Sequence, residues 1–193
     1  TDLPNSKRFC YVGQDNFAAG RTAAELMRQM TGGKGIVAPI IGPLEYHFAY
    51  SERLSGFQSE VERIAPQLTL RQTNLTNDDD EVAVEGKITV VEKGGERGGM
   101  QCMTRGDDGV CRALLQAGRA HDVRLILHDE IEANLRYIKD GVVDFVLGQD
   151  AELQGSLPLS LLADFIQLRQ SPSKRNIFTD IRVLLRYNVD NLL

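Results

Sequence analysis

Long apolar runs are missing from this chain. No stretch reaches the roughly 18 residues that a membrane span needs, although 42% of the 193 residues are hydrophobic. Clustered basic residues are missing too. The 22 lysines and arginines are outnumbered by 27 acidic residues, for a formal net charge of -5, whereas phosphate binding needs Lys and Arg gathered on one face. Any DNA contact would have to come from a part outside this sequence. Cysteine is scarce. Cys10, Cys102 and Cys111 are odd in number and lack metal-ligand or redox spacing, so reduced, mostly buried thiols in a reducing compartment are expected. His47, His121 and His128 lie in separate segments with no thiol or carboxylate at ligand spacing, which argues against a metal site. No leader pattern stands at Thr1 to Pro4, and an excised or processed chain would show none either.

What is present is an alternation of strand-like and helix-like segments. Phe9 to Gly13 reads as a short apolar strand ending at Gln14-Asp15-Asn16, where Asp15 and Asn16 suit a helix start. A helix follows from Phe17 to Met30, stopped by Thr31-Gly32-Gly33. Gly35 to Gly42 is continuously apolar, as a strand buried on both faces must be. A loop at Pro43 to Ala49 leads to a helix at about Tyr50 to Ile64, then a short strand at Leu68 to Gln72. Thr76 to Asp79 fits a capping box opening a helix towards Glu92. Gly94 to Gly99 reads as a loop and Met100 to Met103 as a strand. Helices at about Asp108 to Ala117, Ile131 to Lys139 and Glu152 to Gln170 alternate with strands at Arg124 to His128, Val142 to Leu147 and Ile181 to Tyr187. This order predicts right-handed crossovers and a parallel sheet, in the α/β class.

Catalytic constellations do not emerge. Gly32-Gly33-Lys34-Gly35 follows a helix and precedes a strand, the reverse of a phosphate loop. Ser51, Ser55 and Ser156 have no nucleophile-elbow context. A non-enzymatic protein without cofactor or metal is therefore expected. Polar residues do stand just beyond strand ends, with Asp15 after the first strand, Asp129 after Leu125 to His128, and Gln149 after Phe145 to Gly148. Arg53 lies on the helix after the second strand. Open α/β sheets bind ligands in the crevice at the carboxyl ends of their strands. Carboxylates, an amide and a guanidinium fork suit a polyhydroxylated ligand. Phe17, Tyr46 and Phe48 could stack on a sugar ring, and His47 and Thr104 complete the candidate set. Each has a plainer reading as well: Asp15 and Asp129 as helix caps, Arg53 as an exposed partner of Glu52 or Glu60, Gln149 as a hinge residue.

Tyr11 to Arg21, Gly35 to Gly42 with Ser51 to Phe57, Gly109 to Leu114, and Asp140 to Asp144 with Gln149-Asp150 and Gln154-Gly155 together resemble one family in order and spacing. That family is the lac-repressor (LacI) type of transcription regulator, with its relatives the periplasmic sugar-binding proteins. The resemblance implies a periplasmic-binding-protein-like type I clamshell, with parallel sheets and helices on both faces. It places ligand between two lobes, with Asp15, Arg53, Asp129 and Gln149 as cleft residues. Met103 to Asp108 departs from the usual Asn-Asp before the Gly-x-x-x-Ala-Leu helix.

On this resemblance residues 1–34 and 149–180 form part of a first lobe, residues 35–148 form a complete second lobe, and residues 181–193 form a final strand, crossover and tail. Hinges are expected near Lys34, Gly148 and Thr179. The implied protein is the effector-binding part of a cytoplasmic, homodimeric regulator that senses a monosaccharide or similar ligand. It would bind DNA through an upstream helix-turn-helix absent here. The alternative is a periplasmic sugar-binding protein of an ABC transporter.

Overall fold

The computed structural model describes residues 2, 6–42, 48–71, 74–75, 98–103 and 107–192. Strand β1 (Tyr11–Gln14) leads into helix α1 (Asn16–Thr31), then β2 (Lys34–Ile41), α2 (Phe48–Ile64), β3 (Gln67–Leu70) and the short β4 (Asn74–Leu75). Next come β5 (Gly98–Cys102), α3 (Asp107–Gln116), β6 (Val123–His128), α4 (Glu132–Lys139) and β7 (Phe145–Gly148). The described chain closes with α5 (Ala151–Leu168), β8 (Asn176–Thr179), β9 (Arg182–Leu184) and a 3-10 turn at Asp190–Leu192. The helix expected from Thr76 towards Glu92 lies outside the described residues.

A seven-stranded sheet has the order β3-β2-β5-β6-β7-β9, with β4 also beside β2. All its pairings are parallel except β7 with β9. Its two faces are covered by separate cores. Met100, Cys102, Leu125, Leu127 and Val146 pack with Val110, Leu114, Leu135 and Ile138 of α3 and α4. Val37, Ile41, Ile126 and Leu147 pack with Ala23, Ala24 and Met27 of α1 and with Phe57 and Val61 of α2. The apolar continuity of β2 has its reason here, since a central parallel strand has no face in water. Cys102 and Cys111 are buried, Cys10 is half-buried, and all three are free thiols.

The second, smaller unit is a two-stranded parallel sheet of β1 and β8 with α5 against it, where the rings of Phe9 and Phe165 meet at 4.9 Å. This corrects two expectations. Helix α1, placed by sequence in the first lobe with β1, shares its core with β2 and α2 instead, so the chain leaves the small unit at Gln14–Asp15 and not near Lys34. Strand β8 has no counterpart in the sequence reading, because Asn176 to Thr179 is short and mixed, with polar residues at both ends of Ile177-Phe178. The tail also belongs to the larger unit, since β9 pairs antiparallel with β7 and Val189 is buried in its core.

Two further departures have local causes. Gly98 and Gly99 open β5 where a loop was expected, because a Cβ on Gly99 would stand 2.2 Å from the Met27 sulfur. A side chain there would displace the Met27 thioether that packs on this part of the sheet. Val142 and Val143 are buried outside the strand, and β7 begins at Phe145.

Candidate ligand-binding cleft

Three chain crossings meet at the carboxyl ends of β6 and β7. The first passes from β1 to α1, where the carboxylate of Asp15 accepts a hydrogen bond from the Ala18 N–H at 2.9 Å. Asp15 therefore takes up its capping role. The second passes from β7 to α5 through Gln149 and Asp150, and the third from β8 to β9. They are tied together: Gln14 donates to the Gly148 carbonyl at 2.9 Å, and the Thr179 hydroxyl donates to the Gln149 carbonyl at 2.9 Å.

Arg53 sits beneath this junction at 3% exposure, which removes its reading as a surface arginine. Glu60 pairs with Arg21 and Arg63 instead. The Arg53 guanidinium donates through Nε to Asn16 Oδ1 at 3.1 Å and through Nη2 to Gln14 Oε1 at 3.4 Å. Its nearest described carboxylate oxygen, Asp129 Oδ1, is 3.9 Å away. Burial lowers the Arg53 pKa from its ordinary value, and the Asp129 charge offsets this in part. A buried guanidinium held mainly by neutral amides, with its carboxylate at ion-pair and not hydrogen-bond distance, keeps donor capacity.

Asp129 is braced from behind. It adopts a left-handed backbone with φ 72°, strained for a non-glycine residue. The Asn134 side-chain amide holds that corner by donating to the carbonyls of His128 and Asp129 at 2.9 and 3.0 Å, and to buried Asp107 at 2.9 Å. Asp129 caps nothing: the residue before α4 is Ile131, which makes no side-chain cap bond. Its carboxylate, half-exposed, accepts instead from the Gln149 amide. Behind Arg53, His128 and Gln101 bond side chain to side chain at 2.9 Å. Burial, reinforced by the Arg53 charge, holds the His128 pKa well below 6.5, so the ring is neutral.

The structure thus joins Arg53, Asp129 and Gln149 of the residues picked out by sequence. Asp15 stands at the edge, linked through its neighbour Asn16. Phe17, in the first turn of α1, and Phe48, at the start of α2, keep exposed rings. Tyr46, His47 and Thr104 lie outside the described residues. Gln14, Asn16 and Gln101 were missed. The available signal for Gln14 was a polar residue at the end of an apolar strand, with Asn16 two steps further on, whereas Gln101 stands inside β5 and left no such signal. Together the guanidinium, the carboxylate and the amide offer donors and acceptors to adjacent hydroxyls.

A family model described as "Periplasmic binding protein domain" matches residues 1–170. The chain belongs to that family. Among curated proteins none matches. A sugar-binding protein of a sugar ABC transporter from Bacillus halodurans superposes on this periplasmic binding protein domain with a TM-score of 0.90 at 23% identity, covering 98% of this chain and 68% of that one. The arabinose-binding protein AraP from Geobacillus stearothermophilus gives 0.88 at 25%, covering 97% and 67%. An ABC-transporter solute-binding protein from Burkholderia graminis, in complex with D-arabinose, gives 0.89 at 26%, covering 98% and 66%. The periplasmic-binding-protein-like α/β fold, with helices on both faces of a parallel sheet, is as expected. The chain spans about two thirds of the length of each of these structures.

Proposed function

We propose that this chain is the greater part of a sugar-binding protein that serves an ABC transporter. It would take a monosaccharide in the cleft formed by Arg53, Asp129, Gln149, Asp15 and Phe17. The supporting observation is the buried Arg53 guanidinium, which faces neutral amides and lies 3.9 Å from its carboxylate. A sugar hydroxyl between Arg53 and Asp129 would accept from one and donate to the other. The names of the most similar structures favour this reading over a lac-repressor-type regulator.

Helix α5 supports the same reading. None of its residues is buried, and Leu159, Leu162 and Ile166 lie open, Leu159 at 70% exposure. An apolar face of this kind calls for covering elements, and we take β1, α5 and β8 to be the late part of a first lobe. The carrier reading places the protein outside the cytoplasmic membrane. The regulator reading uses the same fold and ranks second; it would make the protein a cytoplasmic homodimer with an upstream helix-turn-helix.

The test is a thermal-shift screen of the full-length protein against D-arabinose, D-xylose, D-glucose, D-galactose and D-allose, followed by calorimetry. A ligand that binds only the folded state raises the melting temperature as its concentration passes the dissociation constant. At least one sugar is expected to do so in the wild type and not in Arg53→Ala. A folded wild type that responds to none of the five overturns the proposal.

A further inference from the structure

The two residues that meet across the cleft floor, Asp129 and Gln149, are each followed by an acid, Glu130 and Asp150. Both corners carry an aspartate in left-handed backbone, Asp129 at φ 72° and Asp150 at φ 55°. Such conformations persist where their surroundings hold them. One side chain reaches behind both corners. Arg182, the first residue of β9, lies in register with Gly148 of β7. Its Nη2 is 3.0 Å from Asp150 Oδ1 and its Nη1 is 3.6 Å from Glu130 Oε1. Both acids are largely buried, each at 16% side-chain exposure.

Glu130 has little else to hold it. Its second oxygen, Oε2, is buried with no hydrogen-bond partner, and a Cβ on Gly148 would lie 2.6 Å from that oxygen. The carboxylate is therefore pressed onto bare backbone beside Gly148 and depends on Arg182 for its charge partner. The guanidinium fork suits this task, since it offers donors in two directions from a rigid plane.

We propose that Arg182 is a positioning residue for the sugar site. By holding Glu130 and Asp150 it fixes the spacing at which Asp129 and Gln149 present their carboxylate and amide to the ligand. Arg182 touches no ligand itself. The inference rests on the sugar-binding reading of the cleft. Arg182 is itself part-exposed while the two acids are largely buried, so losing it costs some stability as well as the direction it gives them.

The test compares Arg182→Gln and Gly148→Ala with the wild type in the full-length protein by two readouts. In the ligand-free protein, the Gln149 side-chain amide resonance reports its bond to Asp129. It is expected to move towards the position of a solvated glutamine amide in both variants, the second of which leaves Arg182 in place and displaces Glu130. Affinity for the tightest-binding sugar of the five is expected to fall about tenfold in Arg182→Gln, the order of loss seen when a residue that orients a binding side chain is removed, and by more than in a variant elsewhere that lowers the melting temperature equally. An unmoved Gln149 resonance in Arg182→Gln overturns the inference, as does an affinity loss that merely follows a fall in melting temperature. If no sugar binds the wild type, the sugar-binding reading fails, and the Gln149 resonance still decides the role of Arg182 at the corner.

Discussion

Gly20 and Gly56 are the contact point at which α1 crosses α2. A Cβ on Gly20 would stand 2.1 Å from the Arg53 carbonyl oxygen, and one on Gly56 would stand 2.1 Å from the Phe17 carbonyl oxygen. The two backbones touch without side chains between them. This close approach brings Asn16, at the start of α1, within hydrogen-bond reach of Arg53 on α2. The cleft is assembled by a packing contact about one turn away from it.

Gly56→Ala tests that relationship through its sign. In an ordinary helix interior, replacing glycine by alanine stabilises by about 0.5–1 kcal/mol. Here it must push two backbones apart, and overpacking of this kind costs about 1–3 kcal/mol. Urea denaturation is expected to show a lower midpoint for Gly56→Ala, together with weaker sugar binding as Asn16 and Arg53 separate. A raised midpoint would mean that the helices do not meet at these glycines.

Arg53→Met separates stability from binding. The arginine is buried and desolvated, and replacing a buried charge by an apolar side chain of similar length is often neutral or stabilising. The freed acceptors on Gln14 and Asn16 work against that gain. Chemical denaturation is expected to place Arg53→Met within about 1 kcal/mol of the wild type, while sugar binding is lost. A loss of several kcal/mol would assign Arg53 to the scaffold.

His128 gives the protein a stability that depends on pH. Its folded-state pKa lies well below 6.5 because of burial and the Arg53 charge. The unfolded chain therefore takes up a proton at this residue before the folded chain does, and stability falls as pH drops below about 6.5. Glu25 and Glu60 titrate in a lower window. Hydrogen bonds from Arg28, and from Arg63 and Arg21, hold their carboxyls at about 2. Their contribution is present above pH 4.5 and lost as pH falls through about 2. Denaturation midpoints measured from pH 7 to pH 5 are expected to decline in the wild type and to flatten in His128→Gln. An equal decline in both would place the titration elsewhere.

The α/β class and most of its elements are legible in the pattern of residues along the chain. Continuous apolar strands such as Gly35 to Gly42 can only be buried on both faces, and helical periodicity with glycine stops delimits α1. The same pattern names Asp129 and Gln149, because parallel strands deliver the residues after them to one edge of the sheet, while Arg53, on the helix after the second strand, rests on the resemblance of Ser51 to Phe57. Packing alone selects the unit that α1 joins, since Ala23, Ala24 and Met27 fit either lobe by pattern, and their core with Phe57 and Val61, together with the Gly20–Gly56 approach, places α1 on α2. Packing also makes Asp15 the cap of α1 and turns the Asp129 carboxylate to the Gln149 amide, at the left-handed corner that Asn134 braces. The roles of Gln14, Asn16, His128 and Arg182 arise from neighbours far away in the chain. Local sequence specifies what a residue can bond to, and only the packed fold specifies what lies within 3 Å of it.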